Sequence, residues 1–177
     1  RYLRLKILRE TGGFTGGAMV INEIRFYSGV IAQQEVLMTS AAKMKSPRTP
    51  FPQVVSCSSY QGTDSHCYKA FDGDDSASSA WKTKPVGSRR HVLVDPQWVI
   101  VDLGAKRSAH PSSVRITCDA GSSSYGSSSI NTSGNGTGST VPRGCPMTFT
   151  VSGSHDMIKY DILYSKDMNE YNNEYGK

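Results

Sequence analysis

Residues 70–83 read AFDGDDSASSAWKT and form an acidic loop between two aromatic residues. Phe71 comes just before the loop and Trp81 closes it, with three carboxylates around one glycine between them, at positions 72–75. Asp-Gly is typical of a turn, because glycine tolerates positive φ and aspartate can bond to its own backbone. Large aromatic side chains dominate protein cores, so the pattern predicts that Trp81 anchors this loop to the core.

Three carboxylates within four residues repel one another unless positive charge lies among them. Calcium supplies that charge, since it binds carboxylate, hydroxyl and carbonyl oxygens with loose geometry. The loop therefore predicts a structural Ca²⁺ site, and the alternative is a solvated acidic turn without an ion. The spacing is not that of an EF-hand, which has an acceptor at every second position and a closing glutamate.

Length and composition predict one globular domain with a sizeable core, because the chain has 177 residues, 37% hydrophobic and 20% charged. The net charge is +5, but the basic residues are scattered, whereas nucleic-acid binding needs a basic stripe with stacking aromatics. We therefore expect no nucleic-acid partner. No nucleophile–base pair or cofactor loop stands out, so we expect no enzyme. The start at Arg1, without Met or a signal-peptide pattern, predicts a processed or partial chain.

Several short segments alternate apolar and polar residues, which is the pattern of half-buried β-strands. They are residues 1–9, 19–27, 114–118, 147–151 and 158–164. The run WVIVDLG at 98–104 is apolar on both faces, as in a central strand. Because no long amphipathic helix accompanies these strands, the sequence predicts an all-β sandwich or barrel.

The four cysteines, at positions 57, 67, 118 and 145, allow two disulfides in three connectivities. We favour Cys57–Cys67 and Cys118–Cys145, because each pair closes a polar, loop-like segment. The alternative is four buried thiols in a reducing compartment.

Residues 121–140 are a compositional outlier, in which eighteen of twenty are Ser, Gly, Thr or Asn. Such a segment cannot bury a core, so it predicts a mobile loop. Asn131 and Asn135 each begin a glycosylation sequon there. Two sequons beside an even cysteine count favour a secreted glycoprotein at the cell surface or outside the cell. The alternative is an unmodified linker in a cytosolic protein.

Four motifs occur in a characteristic order along the chain: VINEIRFY at 20–27, AFDGDDSASSAW at 70–81, WVIVDLG at 98–104 and CPMTFTVSGSHD at 145–156. Together they resemble the discoidin, or coagulation-factor C-domain, family of galactose-binding-like jelly rolls. The resemblance covers residues 1–165 and leaves 166–177 as a polar C-terminal tail or connection. It implies a β-sandwich of about eight main strands, with ligand loops clustered at one end.

The resemblance also implies a structural Ca²⁺ in the loop at 72–79. Through that match Asp72 and Asp75 would give carboxylate oxygens, Ser78 would give a hydroxyl or carbonyl oxygen, and Asp74 is a further candidate. An acidic residue near the C-terminal strand would complete the site, and Glu170 and Glu174 are available. The chain departs from the family where SASSA replaces the usual Thr before Trp81, and where the family's Trp after the serine–aspartate turn is absent.

The resulting expectation is a non-catalytic extracellular module that binds carbohydrate or a glycoprotein. Sugar sites need an exposed aromatic ring with hydrogen-bonding side chains around it, and the loop residues Tyr60, Arg89, Arg90 and His91 are the candidates. The alternative is a glycosylated building block of an extracellular filament, sheath or cell-surface assembly that makes protein–protein contacts. Binding to a membrane surface ranks lower, because no Trp or Leu pair stands out at a loop tip.

Overall fold

The computed structural model describes residues 1–10, 18–28, 35–36, 43–49, 53–76, 78–84, 88–89, 92–104, 111, 113–118, 128–131 and 145–167. Within these ranges the chain forms twelve β-strands: β1 (Tyr2–Glu10), β2 (Val20–Ile21), β3 (Glu23–Ser28), β4 (Glu35–Val36), β5 (Val54–Cys57), β6 (Trp81–Lys82), β7 (Ser88–Arg89), β8 (Val92–Asp102), β9 (Ser113–Cys118), β10 (Ser128–Asn131), β11 (Pro146–Ser154) and β12 (Asp161–Asp167). Two short 3₁₀ helices, Thr63–Ser65 and Cys67–Phe71, lie between β5 and β6. No helix in the described ranges has the length and apolar character needed to cross a membrane. The predicted all-β class is confirmed.

The largest sheet places its N-terminal strand in the middle. Its order is β12-β11-β1-β8-β5, β7 also pairs with β8, and all pairs are antiparallel. Leu3, Leu5 and Ile7 of β1 are buried while Arg4 and Lys6 are half-buried, as the alternation predicted. The strand predicted from WVIVDLG is the second half of β8, which lies between β1 and β5.

The second sheet has the order β10-β9-β3-β4, and β2 pairs with β6 in a small third sheet. Ile24 and Phe26 on β3 and Val114 and Ile116 on β9 are buried. They belong to the same apolar cluster as the buried side chains of β1, β8 and β11. The two larger sheets therefore contribute to a single core.

Two sequence-based boundaries need correction. The composition of residues 121–140 predicts a mobile loop, but 128–131 form β10, which pairs with β9 so that Ile130 lies opposite Ile116. Composition reports how little a segment can bury, and it does not report whether its backbone pairs with a neighbour. The last predicted strand, 158–164, begins only at Asp161 and runs to Asp167. It starts late because Asp156 Oδ1 accepts hydrogen bonds from the Ile158 and Lys159 amides, which forms a turn.

Candidate functional site

The acidic loop is attached to the core at both ends. Phe71, at the end of the Cys67–Phe71 3₁₀ helix, and Trp81, on β6, are fully buried. The indole Nε1–H of Trp81 donates to the carbonyl oxygen of Ser59 at 2.8 Å. The prediction that Trp81 is a core anchor is confirmed, and the residues between these two aromatics are held as a closed loop.

Inside the loop the carboxylates bind backbone amides. Asp72 Oδ1 accepts from the Asp74 amide at 2.9 Å, and Asp74 Oδ1 accepts from the Ser76 amide at 2.9 Å. Asp72 Oδ2 accepts a short hydrogen bond of 2.5 Å from Ser79 Oγ. The hydrogen bonds from Ser76 lower the pKa of the Asp74 carboxyl. The bonds to the Asp74 and Ser76 amides form two successive Asx turns, and Gly73 is the central residue of the first, at a φ of 75°.

A buried glutamate on another strand contacts this loop, and sequence reasoning did not identify it. Glu23, the first residue of β3, is 1% exposed. Its Oε2 accepts from the Gly73 amide at 3.2 Å, and its Oε1 lies 3.4 Å from Nε of Arg25. Burial raises the pKa of Glu23 to about 7, and the negative charge of Asp72 raises it further, against the lowering effects of Arg25 and the Gly73 amide.

Asn22, the residue before Glu23, holds the other side of the acidic loop. Asn22 is fully buried, and its Nδ2 donates to the carbonyl oxygen of Ser76 at 2.7 Å. Its own amide donates to Thr117 of β9. Asn22 and Glu23 therefore hold the loop at two points, Ser76 and Gly73.

The four predicted calcium ligands differ in their burial. Asp72 is half-buried and close enough to Glu23 for their charges to interact, whereas Asp74, Asp75 and Ser78 are exposed. Among the described residues, no three Asp, Glu, His or Cys side chains of this loop bring their ligand atoms within 4.8 Å of one another. The candidates for completing the site, Glu170 and Glu174, lie outside the described residues.

The donors near Glu23 nevertheless fit a hard cation. They are the carboxylate oxygens of Glu23 and Asp72, whose charges interact. A nearby cation favours the ionised form of two neighbouring carboxylates, one of which is buried. Arg25 and Lys69 supply part of that charge, and the Lys69 Nζ to Asp72 Oδ2 distance is 3.8 Å. The Ca²⁺ site stays a prediction, with Glu23 as the residue to add to it.

The two predicted disulfides differ in outcome. Cys57 and Cys67 are bonded, with their Cα atoms 6.2 Å apart. Cys118 and Cys145 lie side by side at the end of β9 and before β11, but as thiols rather than as a disulfide. Burial, and then the hydrogen bond with Cys145, raise the pKa of the Cys118 thiol. The hydrogen bond between the two sulfurs shows the predicted proximity of the second pair, and its disulfide stays a prediction.

Of the predicted sugar-binding residues, Tyr60 is the one whose side chain the structure describes. It is 39% exposed, and its ring centroid lies 4.3 Å from that of His66. The backbone of Arg89, on β7, pairs with that of Val92, on β8. Arg90 and His91 lie outside the described ranges. Of the two sequon residues, Asn131 ends β10, whereas Asn135 lies outside the described ranges.

No protein-family model, no curated protein and no solved structure matches this chain.

Proposed function

We propose that the chain is a non-catalytic recognition module with the discoidin-type jelly-roll fold, that it binds carbohydrate or a glycoprotein outside the cell, and that calcium occupies its acidic loop. The observation that carries this proposal is the buried carboxylate of Glu23 against the Gly73 amide. The two larger antiparallel sheets, which share one core, support the jelly roll. The Cys57–Cys67 disulfide supports an oxidising, extracellular setting.

Calcium explains why an acidic residue occupies the interior at position 23. A buried carboxylate costs free energy unless it is protonated or paired. Its partner Arg25 is only partly buried, and Nε of Arg25 lies 3.4 Å from Oε1 of Glu23. A cation between Glu23 and Asp72 would hold both carboxylates ionised, and it would replace their repulsion by attraction. In this proposal the ion is structural: it would fix the loop between Phe71 and Trp81.

Calorimetric titration of the metal-free protein with CaCl₂ tests the calcium site. We expect one Ca²⁺ per chain, with affinity at least about tenfold weaker in Glu23→Gln, since ligand carboxylates dominate binding. Asp95→Asn is the matched control, because Asp95 is an exposed acid on β8. Absence of heat in the wild type, or equal affinity in Glu23→Gln, would contradict the proposal.

The carbohydrate part rests on Tyr60. Its exposed ring packs against the His66 ring, and an aromatic face is what a sugar ring stacks against. A glycan array probed at millimolar Ca²⁺ should show binding that Tyr60→Ala abolishes and that Tyr60→Phe, which keeps the ring, largely retains. Binding that survives Tyr60→Ala would exclude this face, and an array without signal would count against the function.

A second candidate function is a building block of an extracellular assembly, and exposed apolar side chains favour it. Met157, Ile158 and Ile162 are 52%, 87% and 69% exposed. They lie on the turn before β12 and on β12 itself, which ends the largest sheet in the described part of the chain. Edge strands and apolar patches both promote association between copies of a chain. Sedimentation should then show concentration-dependent oligomers that Ile158→Asp dissociates, and a monomer at high concentration would contradict the candidate.

A further inference from the structure

A group of soft metal ligands lies apart from the acidic loop, around the disulfide. Cys57 ends β5, Cys67 begins the Cys67–Phe71 3₁₀ helix, and His66 directly precedes it. The two sulfurs and a ring nitrogen of His66 all lie within 4.8 Å of one another. Cys57 and His66 are half-buried, and Cys67 is fully buried. The group is therefore anchored by the buried Cys67 and is accessible to solvent at Cys57 and His66.

The spacing between His66 and Cys67 is that of ligands on one tetrahedral metal. Zinc binds sulfur at about 2.3 Å and imidazole nitrogen at about 2.0 Å, so the two donors in a tetrahedral site lie roughly 3.5 Å apart. The distance from Nδ1 of His66 to Sγ of Cys67 is 3.6 Å. Two thiolates on the same zinc lie roughly 3.8 Å apart by the same geometry, so the two sulfurs must separate after reduction.

Packing holds the imidazole in place. Its ring lies 4.3 Å from the ring of Tyr60 and 5.5 Å from that of Tyr68, between centroids. Nδ1 accepts a 3.4 Å hydrogen bond from the Tyr68 amide, and a metal bound at Nδ1 would displace that bond; Sγ of Cys67 lies 3.6 Å from the same nitrogen.

We propose that reduction of the Cys57–Cys67 disulfide creates a three-ligand zinc site, formed by the two thiolates and His66, with one coordination position open. An external dithiol supplies two electrons and two protons, its own sulfurs become a disulfide, and both cysteines become thiols. Zinc then binds both sulfurs and displaces one proton from each to solvent. The module thus exchanges a covalent link between β5 and the 3₁₀ helix for a metal link in reducing conditions. This inference is independent of the proposed calcium site, whose donors are all oxygen.

Cobalt is the probe, because tetrahedral thiolate-bound Co²⁺ absorbs visible light. The full chain is reduced with a phosphine, which itself becomes the phosphine oxide with oxygen from water, and it is then titrated with Co²⁺ without air. We expect one Co²⁺ per chain with thiolate-to-cobalt and tetrahedral d–d bands, displaced by one equivalent of Zn²⁺, and no such bands in the oxidised chain. A reduced, folded chain without these bands would overturn the proposal.

Two variants assign the ligands. His66→Asn keeps an acceptor for the Tyr68 amide and removes the imidazole, and we expect affinity at least about tenfold weaker. His155→Asn, at an exposed histidine beyond β11, is the matched control and should be unchanged. The double variant Cys57→Ala/Cys67→Ala should lose the cobalt bands, although it keeps Cys118 and Cys145. Retained bands in that double variant, or equal affinity in His66→Asn, would overturn the assignment.

If reduction alone unfolds the chain, near-ultraviolet circular dichroism decides the matter. Zinc that binds only the folded form must then restore the native spectrum of the reduced chain. Failure of zinc to do so would also overturn the proposal.

Discussion

At the scale of single residues, Glu23 is the one acidic or basic residue that is fully buried in the described part of the chain. Its carboxylate is 1% exposed and is held by one amide and one guanidinium group. Burial raises its pKa from 4.5 to about 7, so the folded protein keeps a proton there that the unfolded chain has lost. Folding and proton binding are linked at this residue.

The stability of the metal-free protein should therefore depend on pH through Glu23. Because the folded pKa lies above the unfolded one, the stabilising contribution is complete below about pH 4.5 and is lost as pH rises through about 7. The loss is at most about 3 kcal/mol for this shift. We expect the difference in unfolding free energy between wild type and Glu23→Gln to change by that amount between pH 4.5 and 8, measured by urea denaturation.

The difference between the two proteins is the quantity to compare, because other carboxylates act in the opposite direction. The pKa of Asp156, for example, is lowered by the amides of Ile158 and Lys159, so its contribution is lost on acidification. A pH-independent difference between wild type and Glu23→Gln would contradict the linkage. Saturating Ca²⁺ should remove the loss at high pH if the proposed ion binds Glu23 in its ionised form.

Glu23 shows what alternation along a strand cannot predict. The pattern placed Ile24 and Phe26 on one face of this strand and Glu23 on the other, and that assignment of faces holds. The acidic loop, far along the sequence, packs against the opposite face and buries it. A polar residue next to the core becomes a site residue only through that long-range contact. The acidic residues 72–75 could be found locally, because they form their turns from adjacent amides.

At the scale of elements, the turn at Gly73 links the 3₁₀ helix to the loop. Its φ of 75° lies in the left-handed region, where a side chain other than hydrogen is strained. A Cβ there would also lie 3.1–3.3 Å from the side-chain carbons of Lys43. The same backbone conformation directs the Gly73 amide to Glu23.

We expect Gly73→Ala to lower the unfolding free energy by about 1–2 kcal/mol, mainly through the strained φ. Gly62→Ala is the matched control, because Gly62 has an extended φ of −171° and no atom lies within 4 Å of the position that an alanine methyl group would take. That control should stay within about 0.5 kcal/mol of wild type. Thermal and urea unfolding of the three proteins measure the effect, and equal losses in both variants would contradict the role of the turn.

Elements were predictable where one face is buried and the other is not. Residues 1–9 and 114–118 alternate clearly, and both form strands at nearly those positions. The short strands β4, β7 and β10 were not foreseen, because two to four residues carry too little periodicity. Backbone pairing defines these strands, and backbone pairing depends on the partner.

At the scale of the whole molecule, β1 depends on pairing with β11, which comes from the last part of the chain. Residues of β1 pair with β11 on one side, Tyr2 opposite Ser154, and with β8 on the other, Tyr2 opposite Asp102. Phe149 and Val151 of β11 are buried in the shared core. Sequence alone predicted an all-β fold, but it did not predict this order, since alternation is the same for a central and an edge strand.

A chain that ends at residue 144 should therefore not fold. It lacks β11 and β12, and loss of Phe149 alone is comparable to a large part of a typical domain's stability, about 3–5 of 5–15 kcal/mol. We expect no cooperative transition in urea, followed by circular dichroism. A chain that ends at Asp167 keeps every described strand and is the control. A cooperative transition in the shorter chain would show that β1 is stable without β11.

The same strand order determines how the module would respond to force. Asp167 pairs with Thr148, which lies opposite Arg9, whereas Tyr2 lies beside Ser154 at the far end of the sheet. Strands β1 and β12 are therefore parallel, and a pull between the start of β1 and the end of β12 acts along the strands in opposite directions. Such a load shears the hydrogen bonds of β11 with both neighbours together, instead of opening them one after another. A tether that enters at β1 and leaves at β12 would thus meet the sheet along its mechanically resistant axis.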